Sequence, residues 1–341
     1  MSDQPRGDIA TKQQTTASRL ILSPGGRAAT ALLLVVFVGL VFNADGAFFK
    51  SATHRDALRQ ASVYGILACG MTLVIVTAGI DLAVGSVLAL VAVCCATMAI
   101  HWNWSGWIVV PASMVIGGLC GAVSGTLVSR QKIQPFIATL AMMVFARGLA
   151  KYLSGGSKVS TAVKQPDGTF EYVDVPYLFR LIDSRVLADS VSVVTLIFFA
   201  CATISWIALS HFRWGRFLYA VGGNEEASRL SGVPVTWART LAYVWCGVFA
   251  GIAGICQAAQ EQQGDPEAGV AYELIAIAMV VIGGTSLAGG RGGMMLTTLG
   301  VFTIGYLEKI LSINAVPEAW RLMLTGVIIV IAVQTQRSRR A

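Results

Sequence analysis

Charged residues are scarce in this chain. Only 13% of its 341 residues are Asp, Glu, Lys or Arg, whereas 55% are hydrophobic. Soluble domains usually carry about a quarter charged residues, so this balance argues for a membrane protein. The HExxH, GxSxG and P-loop patterns are also missing, which excludes the metalloprotease, hydrolase and ATPase machinery that these motifs supply. If the protein uses ATP, a separate protein must hydrolyse it.

Cysteine pairs are missing from the polar segments. All seven cysteines lie inside apolar runs, and the three histidines lie at loop or span ends. The pattern therefore predicts neither a disulfide framework nor a zinc site, and it favours cysteines that act as small buried hydrophobic residues. We expect no metal and no cofactor bound to this chain itself.

The sequence is dominated by long apolar runs without charged residues. A membrane-spanning helix needs roughly 17–25 mostly apolar residues, and an isolated strand cannot satisfy its backbone in lipid. The sequence thus predicts an all-α, polytopic membrane bundle. Its ten candidate spans are 28–44, 60–80, 82–100, 102–129, 133–146, 190–210, 240–260, 274–290, 292–307 and 322–336.

Basic residues indicate the orientation of the bundle. With the N-terminus inside and ten crossings, both termini are cytoplasmic and more than half of the 25 Lys and Arg residues fall on the cytoplasmic side, as short cytoplasmic loops require. The net charge of +7 then follows from topology, and no nucleic-acid partner is implied. We expect a disordered cytoplasmic segment at 1–27 without a signal peptide, a membrane-spanning domain at 28–336, and a basic cytoplasmic tail at 337–341.

A glycine-rich break interrupts the apolar pattern at residues 79–86. Its only charge is Asp81, so it is either a cytoplasmic turn or a re-entrant segment at membrane depth, where polar backbone must be buried in protein or line a cavity. A similar helix–glycine–helix pattern links residues 74–90 with residues 280–296. A parallel internal repeat and chance similarity both explain it.

Two ionisable residues within or beside the spans are functional candidates. Asp81 either caps the helix that follows it or lines a pathway and hydrogen-bonds a sugar-like substrate. Arg147 lies about 18 Å along its helix at 1.5 Å per residue. It either snorkels outward with Lys151 or pairs with a carboxylate, for which Glu273 and Glu308 are the available partners.

One long polar loop, residues 211–239, lies between two spans and must therefore be in water. It contains a short amphipathic helix pattern, with Glu225, Glu226 and Arg229 on one side and Ala227 and Leu230 nearby. A structured helix bounded by glycines in a cytosolic loop of a membrane protein predicts mechanical contact with a soluble partner.

Four segments of the chain resemble the permease subunit of bacterial ABC importers, in the monosaccharide (ribose/galactofuranose-type) branch of the binding-protein-dependent inner-membrane family. They are residues 64–86, 134–156, 215–233 and 272–293, and the likeness extends over nearly everything from about 30 to 336. The resemblance implies a multi-pass protein of the bacterial inner membrane that moves a monosaccharide inward by alternating access. It also implies separate ATPase subunits that carry ATP and Mg, a periplasmic sugar-binding protein and a second permease subunit, identical or not.

The resemblance further implies a role for the polar loop. Residues Glu226, Ala227 and Gly232 match a Glu-Ala-Ala-x-x-x-Gly-like coupling motif, and Ser228 stands where a second Ala is often found. In such permeases this helix docks in a groove of the ATPase and transmits its motion. The residues that we assign to coupling are Gly215, Arg216, Gly223, Asn224, Glu225, Glu226, Ala227, Ser228 and Gly232. The residues that we assign to the substrate pathway are Gly79, Asp81, Ser86, Thr139, Arg147 and Glu273.

Some positions depart from the family's pattern and leave the sugar open. They are Ala83, Ile275, Glu308, Lys309, Trp320 and Arg321. A branched-chain amino acid permease of the same wider family remains an alternative, as does an ion-coupled secondary carrier, for which only Asp81 and Glu308 offer intramembrane carboxylates. A membrane-embedded enzyme would need a nucleophile or metal constellation that the sequence does not present.

Overall fold

The computed structural model describes residues 23–164 and 169–337, so the expectations for residues 1–22 and 338–341 lie outside the described residues. Within these ranges the chain forms thirteen α-helices and two small hairpins. The helices of the first half are α1 Pro24–Val41, α2 Ser51–Val76, α3 Val84–Ala96, α4 Gly106–Ser129, α5 Pro135–Leu153 and α6 Tyr177–Asp183. Those of the second half are α7 Val193–His211, α8 Arg213–Gly223, α9 Glu225–Leu230, α10 Val235–Glu261, α11 Tyr272–Gly283, α12 Met294–Ile313 and α13 Glu318–Arg337. A 3-10 turn, Ala47–Phe49, precedes α2, and the π-helical turn Thr97–His101 extends α3.

The predicted fold class is confirmed. In the described part of the chain, eight helices are long and apolar enough to cross a membrane. The shorter apolar helix α11 and the 20-residue helix α13 occupy the two remaining predicted runs. The protein is therefore an all-α, multi-pass membrane protein.

Several boundaries differ from the uncharged runs. Helix α1 begins at Pro24, four residues before the run at 28–44, because Ser23 caps it through a hydrogen bond from the Gly26 amide (3.0 Å) and proline suits the first helical position. Helix α5 continues past residue 146 to Leu153. Helix α13 includes Arg337, which we had placed in the tail.

The predicted span 274–290 is wrong. Helix α11 ends at Gly283, and Gly284 adopts a left-handed conformation with φ +109°, which favours glycine. The remaining residues of that run belong to an irregular, glycine-rich segment at 284–293, which we call break 2. Break 1 is the segment 77–83 between α2 and α3.

Helices α2, α3 and α10 form the centre of the bundle. Their side chains are mostly buried, and α10 packs along α4, α2 and α3. Glycines permit the closest contact: a Cβ atom on Gly117 would overlap the carbonyl oxygen of Gly247, and one on Gly247 would overlap that of Gly117. Backbones in direct contact are the usual packing solution for small residues in membrane helices.

The outer connection between α5 and α7 contains one short helix and two β-hairpins. Two antiparallel hairpins, β1 Ala162–Lys164 with β2 Phe170–Tyr172 and β3 Arg185–Val186 with β4 Val191–Ser192, flank α6. Ion pairs attach this connection to the outer end of α2. They are Arg59 with Asp183 and Arg185 with Asp56 (2.8 Å).

Candidate functional site

The polar loop 211–239 folds into two short helices rather than one. Helix α8 turns sharply back from the end of α7, and this turn requires Gly215, because a Cβ atom there would overlap the carbonyl oxygens of Ala208 and Leu209. The apolar side chains of Leu218 and Val221 are buried beneath α8. The helix is therefore seated on the bundle rather than projecting freely from it.

Asn224 connects α8 to α9. It ends the first helix and caps the second, because its side-chain oxygen accepts a hydrogen bond from the Ala227 amide at 2.9 Å. Glu225 and Glu226 lie in the first turn of α9 and Arg229 in its last turn, the arrangement that the helix dipole favours. Gly232 (φ +77°) ends the motif, with its amide 3.0 Å from the Arg229 carbonyl oxygen.

The two glutamates of α9 have different surroundings. Glu225 bridges two cations, Arg229 at 2.7 Å and Arg239 of α10 at 2.9 Å. Glu226 has 69% of its side chain exposed and reaches only Arg229, at 3.4 Å. Glu225 therefore ties α9 to the bundle, whereas Glu226 is available to a partner.

The other residues assigned to coupling divide in the same way. Ser228 is buried and donates to the Asn224 carbonyl oxygen at 2.7 Å. The exposed set comprises Arg216, Gly223, Asn224, Glu226, Ala227 and Gly232. Leu230, which we did not assign to coupling, exposes 81% of an apolar side chain at the end of α9.

Two grooves lie on either side of Arg229. One, of about 480 Å³, is lined by residues that include Arg130, Val233 and Trp237. The other, of about 400 Å³, runs between α9 and residues 128–135. Helix α9 thus forms a ridge between two depressions that include the cytoplasmic end of α4.

The end of α2, break 2 and α8 meet at one contact, which we call the glycine junction. The Gly290 amide of break 2 donates to the Val76 carbonyl oxygen at the end of α2, at 2.9 Å. A Cβ atom on Gly222 of α8 would overlap that same carbonyl oxygen and lie 2.7 Å from the Gly290 amide. A Cβ atom on Gly289 would come within 2.8 Å of Ala78. Three segments therefore touch through backbone atoms alone.

A hydroxyl group adds a second link between α8 and break 2. Tyr219 donates to the Gly292 carbonyl oxygen at 3.0 Å. The two glycine-rich segments that share this sequence pattern are thus brought into contact, beside helix α8.

Break 1 lies inside the bundle, in agreement with the re-entrant alternative. The Ile80 carbonyl oxygen accepts from the Tyr243 hydroxyl at 3.3 Å and lies 3.5 Å from the Thr139 hydroxyl. These two donors are about 6–12 Å along α5 and α10 from the cytoplasmic ends of those helices, at 1.5 Å per residue. A Cβ atom on Gly79 would lie 2.6 Å from the Tyr243 hydroxyl, so glycine is required for this fit.

Asp81 is almost fully buried and accepts a hydrogen bond from the Ala83 amide at 2.9 Å, just ahead of α3. The Cys246 thiol also faces this carboxylate. The contact with Ala83 favours the capping interpretation, because it satisfies an amide at the entrance to the helix. A pathway role for Asp81 stays a prediction.

Arg147 makes contacts that differ from both predicted alternatives, snorkelling outward and pairing with a carboxylate. Its guanidinium donates to the carbonyl oxygens of Pro266 and Ala268, at 2.5 and 2.7 Å. These carbonyls belong to an irregular segment, residues 262–271, that returns from the end of α10 along α3. There a Cβ atom on Gly85 would overlap the carbonyl oxygen of Gly269. We call residues 262–271 the return segment.

The return segment is also tied to the outer side by surface ion pairs. Lys151 contacts Glu267 at 2.6 Å and Lys158 contacts Asp265 at 3.0 Å. The Asp265 carboxylate raises the pKa of the exposed Lys158 ammonium. An isolated backbone pairing of Val159 with Gly264 completes the attachment.

The six residues assigned to the pathway lie in break 1 and in helices α3, α5 and α11. Gly79 and Asp81 belong to break 1, the Thr139 hydroxyl lies 3.5 Å from the Ile80 carbonyl oxygen of that break, and Ser86 is buried in the first turn of α3. Glu273 lies beside Gly85, within electrostatic reach of Arg147. The predicted partner Glu308 instead contacts Arg321 at 3.6 Å.

The sequence reasoning missed the residues whose role depends on a distant partner. The glycine-rich pattern at 280–296 marked Gly289 and Gly290 as part of a break, but nothing in the sequence showed that Gly290 and Gly222 would meet at the end of α2. Arg239 looked like an ordinary cytoplasmic basic residue. Spacing could not reveal the glycine contacts, because they join segments that are far apart in the sequence.

Comparisons with known proteins agree with this architecture. Residues 55–333 match the family described as branched-chain amino acid transport system / permease component. The chain is 38% identical over 310 residues to the ribose import permease protein of Escherichia coli (strain K12), covering 91% of this chain and 93% of that protein. It is 32% identical over 308 residues to the fructose import permease protein of Rhizobium meliloti, covering 90% and 84%. It is 29% identical over 357 residues to the xylose transport system permease protein of Escherichia coli (strain K12), covering 89% of each. No solved structure matches the chain.

Proposed function

The chain belongs to the family of branched-chain amino acid transport system permease components, and from this premise we propose that it is the membrane subunit of an ATP-driven importer. It moves a monosaccharide from the periplasm across the bacterial inner membrane into the cytoplasm by alternating access. A separate ATPase, which carries ATP and Mg, supplies the energy. A periplasmic sugar-binding protein delivers the substrate, and a second permease subunit, identical or different, completes the membrane channel.

A sugar substrate is supported by the relatives. The ribose, fructose and xylose permeases each align with most of this chain. The family description mentions branched-chain amino acids, so leucine-like substrates are the second candidate. The relatives that align over most of the chain carry sugars in their names, and we therefore favour a monosaccharide.

The glycine junction is the observation that carries the proposed coupling. Helix α9 presents Glu226 and Leu230 to the cytosol between two grooves. Helix α8, joined to it at Asn224, contacts the end of α2 and break 2 through backbone atoms. A force applied to α9 would therefore reach the cytoplasmic ends of α2 and α12 without passing through flexible side chains.

The rival ion-coupled mechanism has less support. An ion-coupled carrier needs a carboxylate that is free to exchange its ion, yet Asp81 accepts from a backbone amide and Glu308 contacts both Arg321 and Thr325.

Uptake into proteoliposomes tests the substrate and the energy source together. Vesicles that contain the chain with its ATPase and its sugar-binding protein should accumulate radiolabelled ribose, fructose or xylose only when ATP is supplied on the ATPase side. Leucine should not accumulate. Leucine uptake would establish the amino acid alternative, and sugar uptake that survives without ATP but collapses with an uncoupler would refute the ATP-driven mechanism.

A charge reversal on α9 tests the coupling role. We expect Glu226→Lys to lower receptor-stimulated ATPase activity and sugar uptake roughly tenfold, which corresponds to about 1.4 kcal/mol. The side chain is exposed, and its ion pair with Arg229 at 3.4 Å is of the kind that contributes only about 0–1 kcal/mol to stability. The variant should therefore insert and melt like the wild type.

Arg213→Glu is the matched control for that experiment. It reverses an exposed charge in the same loop but lies on α8, away from the ridge. Equal activity losses in both variants would indicate a general charge effect and would count against docking at α9. Normal ATPase stimulation with Glu226→Lys would do the same.

A further inference from the structure

A polar cluster occupies the outer half of the bundle, far from the break residues. Tyr64 of α2 and Tyr272 of α11 face each other with ring centroids 4.5 Å apart, and their hydroxyl groups interact. Tyr272 also interacts with Gln257 of α10, whose side-chain nitrogen lies 2.5 Å from a carboxylate oxygen of Glu261. Three helices thus contribute one connected set of polar groups.

A charged pair extends this set towards α12 and α13. Arg321 lies 3.6 Å from Glu308, and the Thr325 hydroxyl donates to Glu308 at 3.2 Å. Both Glu308 and Arg321 are close enough to Tyr64 to act on it electrostatically. We call these seven residues the outer cluster. They are Tyr64, Gln257, Glu261, Tyr272, Glu308, Arg321 and Thr325.

The outer cluster has hydrogen-bonding capacity left over. The Nε atom of Arg321 is buried without a hydrogen-bond partner. Burying an unpaired donor costs about 1–3 kcal/mol, so a cluster that only stabilised the helices would be expected to pair it. Ionisable side chains within a membrane bundle are functional candidates for the same reason.

The position of the outer cluster connects it to the coupling site. Tyr64 lies about 18 Å from the end of α2 at Val76, and Tyr272 about 17 Å from the end of α11 at Gly283, at 1.5 Å per residue. Both helices end at the breaks, and the breaks touch each other where a Cβ atom on Gly289 would come within 2.8 Å of Ala78. Movement at the glycine junction would therefore reach the Tyr64–Tyr272 contact through these two helices.

The chemistry of the outer cluster suits a sugar. Hydroxyl groups of a monosaccharide both donate and accept hydrogen bonds, and the outer cluster supplies carboxylate and amide oxygens as acceptors and guanidinium, amide and phenol groups as donors. Its aromatic rings offer apolar faces to the C–H groups of the sugar ring. A few convergent polar groups beside aromatic surface are the usual composition of small-molecule sites.

We propose that the outer cluster is the site at which the permease receives the monosaccharide, and that the Tyr64–Tyr272 contact parts to admit it. This inference rests on the proposed importer function. Glu261 is exposed at the outer end of α10, so the outer cluster opens towards the side from which the receptor delivers its sugar. The breaks then form the inner limit of the same path.

The test uses the complete transporter in proteoliposomes, with saturating receptor and radiolabelled ribose, fructose and xylose. Tyr272→Phe removes one hydroxyl, and Arg321→Lys removes the planar guanidinium. Each should lower the maximal rate of sugar uptake at least tenfold and change the ratio of ribose to fructose uptake at least fivefold. Receptor-stimulated ATPase activity should stay within twofold of the wild type, because α9 is unaltered.

Tyr306→Phe is the matched control, since Tyr306 also lies in the outer half but packs against His54 instead. It should leave both the rate and the ratio unchanged. Unchanged rates and ratios in the two outer-cluster variants would overturn the inference, and so would a uniform loss for all sugars that parallels a lower melting temperature. If the wild type imports none of the sugars, the proposed importer function is wrong, and the inference that the outer cluster binds a sugar is wrong with it.

Discussion

Gly222→Ala is expected to reduce ATP-driven sugar uptake at least tenfold, although this residue belongs neither to the exposed surface of α9 nor to the outer cluster. The added methyl group would overlap the carbonyl oxygen of Val76 and lie 2.7 Å from the Gly290 amide. Both are backbone atoms that cannot rotate away, so α8 has to move off the breaks. Overpacking of this kind costs about 1–3 kcal/mol. The whole of this cost falls on the glycine junction, which in the proposed mechanism transmits the motion of α9.

The neighbouring glycine provides the control. A Cβ atom on Gly223 would meet nothing within 4 Å, so Gly223→Ala makes the same chemical change in the same helix without the overlap. We expect Gly223→Ala to import at the wild-type rate, and we expect Gly222→Ala to hydrolyse ATP without importing sugar. Measuring uptake and ATPase activity on the same vesicles separates uncoupling from loss of assembly. Wild-type uptake by Gly222→Ala would show that the glycine junction does not transmit force.

The general architecture could be predicted from the sequence because every membrane-spanning helix must be apolar and long enough to cross the bilayer. Runs such as 240–260 appear as helices, and the fold class followed from length and apolarity alone. The polar loop 211–239 was also recognisable, because charge cannot be placed in lipid without a reason.

The internal structure of the runs could not be predicted in the same manner. Residues 274–290 are uniformly uncharged, yet only the part up to Gly283 is helical. An absence of charge does not distinguish a helix from a buried glycine-rich break, since both avoid charged side chains. The difference arises from backbone hydrogen bonds to distant segments, such as the one from Gly290 to Val76.

The contacts of individual ionisable residues could not be predicted from the sequence either. The sequence predicts that Arg147 either snorkels outward or pairs with a carboxylate, but its partners are two backbone carbonyls. Any residue can present a carbonyl oxygen, so the sequence gives no sign of which one will accept. Glu308 was a candidate partner for Arg147, but in the structure it contacts Arg321, which the sequence marked only as a departure from the family's pattern.

The breaks, the glycine junction and the outer cluster form a single mechanical arrangement. Helices α2 and α11 each carry one tyrosine of the outer cluster and end at one break, and α8 touches the end of α2 and break 2 at once. We therefore expect the cytosolic and outer ends of the path to change together. In the proposed mechanism, opening at one end is coupled to closure at the other, which is the requirement for alternating access.

Arg147→Ala is expected to release the return segment and to abolish most transport. Two carbonyl oxygens, those of Pro266 and Ala268, would lose their donor, and Glu273 would lose a nearby cation. Hydrogen bonds to a charged group contribute about 1.5–3 kcal/mol each, so the variant should also melt at a lower temperature. Arg147→Lys should recover only part of the activity, because the shorter lysine side chain does not bring its ammonium group to the position of the single guanidinium nitrogen that donates to both oxygens.

Lys151→Ala is the matched comparison, one helical turn further along α5. Its ion pair with Glu267 is about half exposed, and pairs of this kind contribute about 0–1 kcal/mol, so its uptake and melting temperature should remain close to those of the wild type. Maleimide labelling of a cysteine introduced at Val270, which is 62% exposed, reports the state of the return segment. Faster labelling is expected with Arg147→Ala than with Lys151→Ala. Equal labelling rates combined with equal uptake would mean that the return segment is held by the contact of Gly85 with Gly269 alone, and that Arg147 has no positioning role.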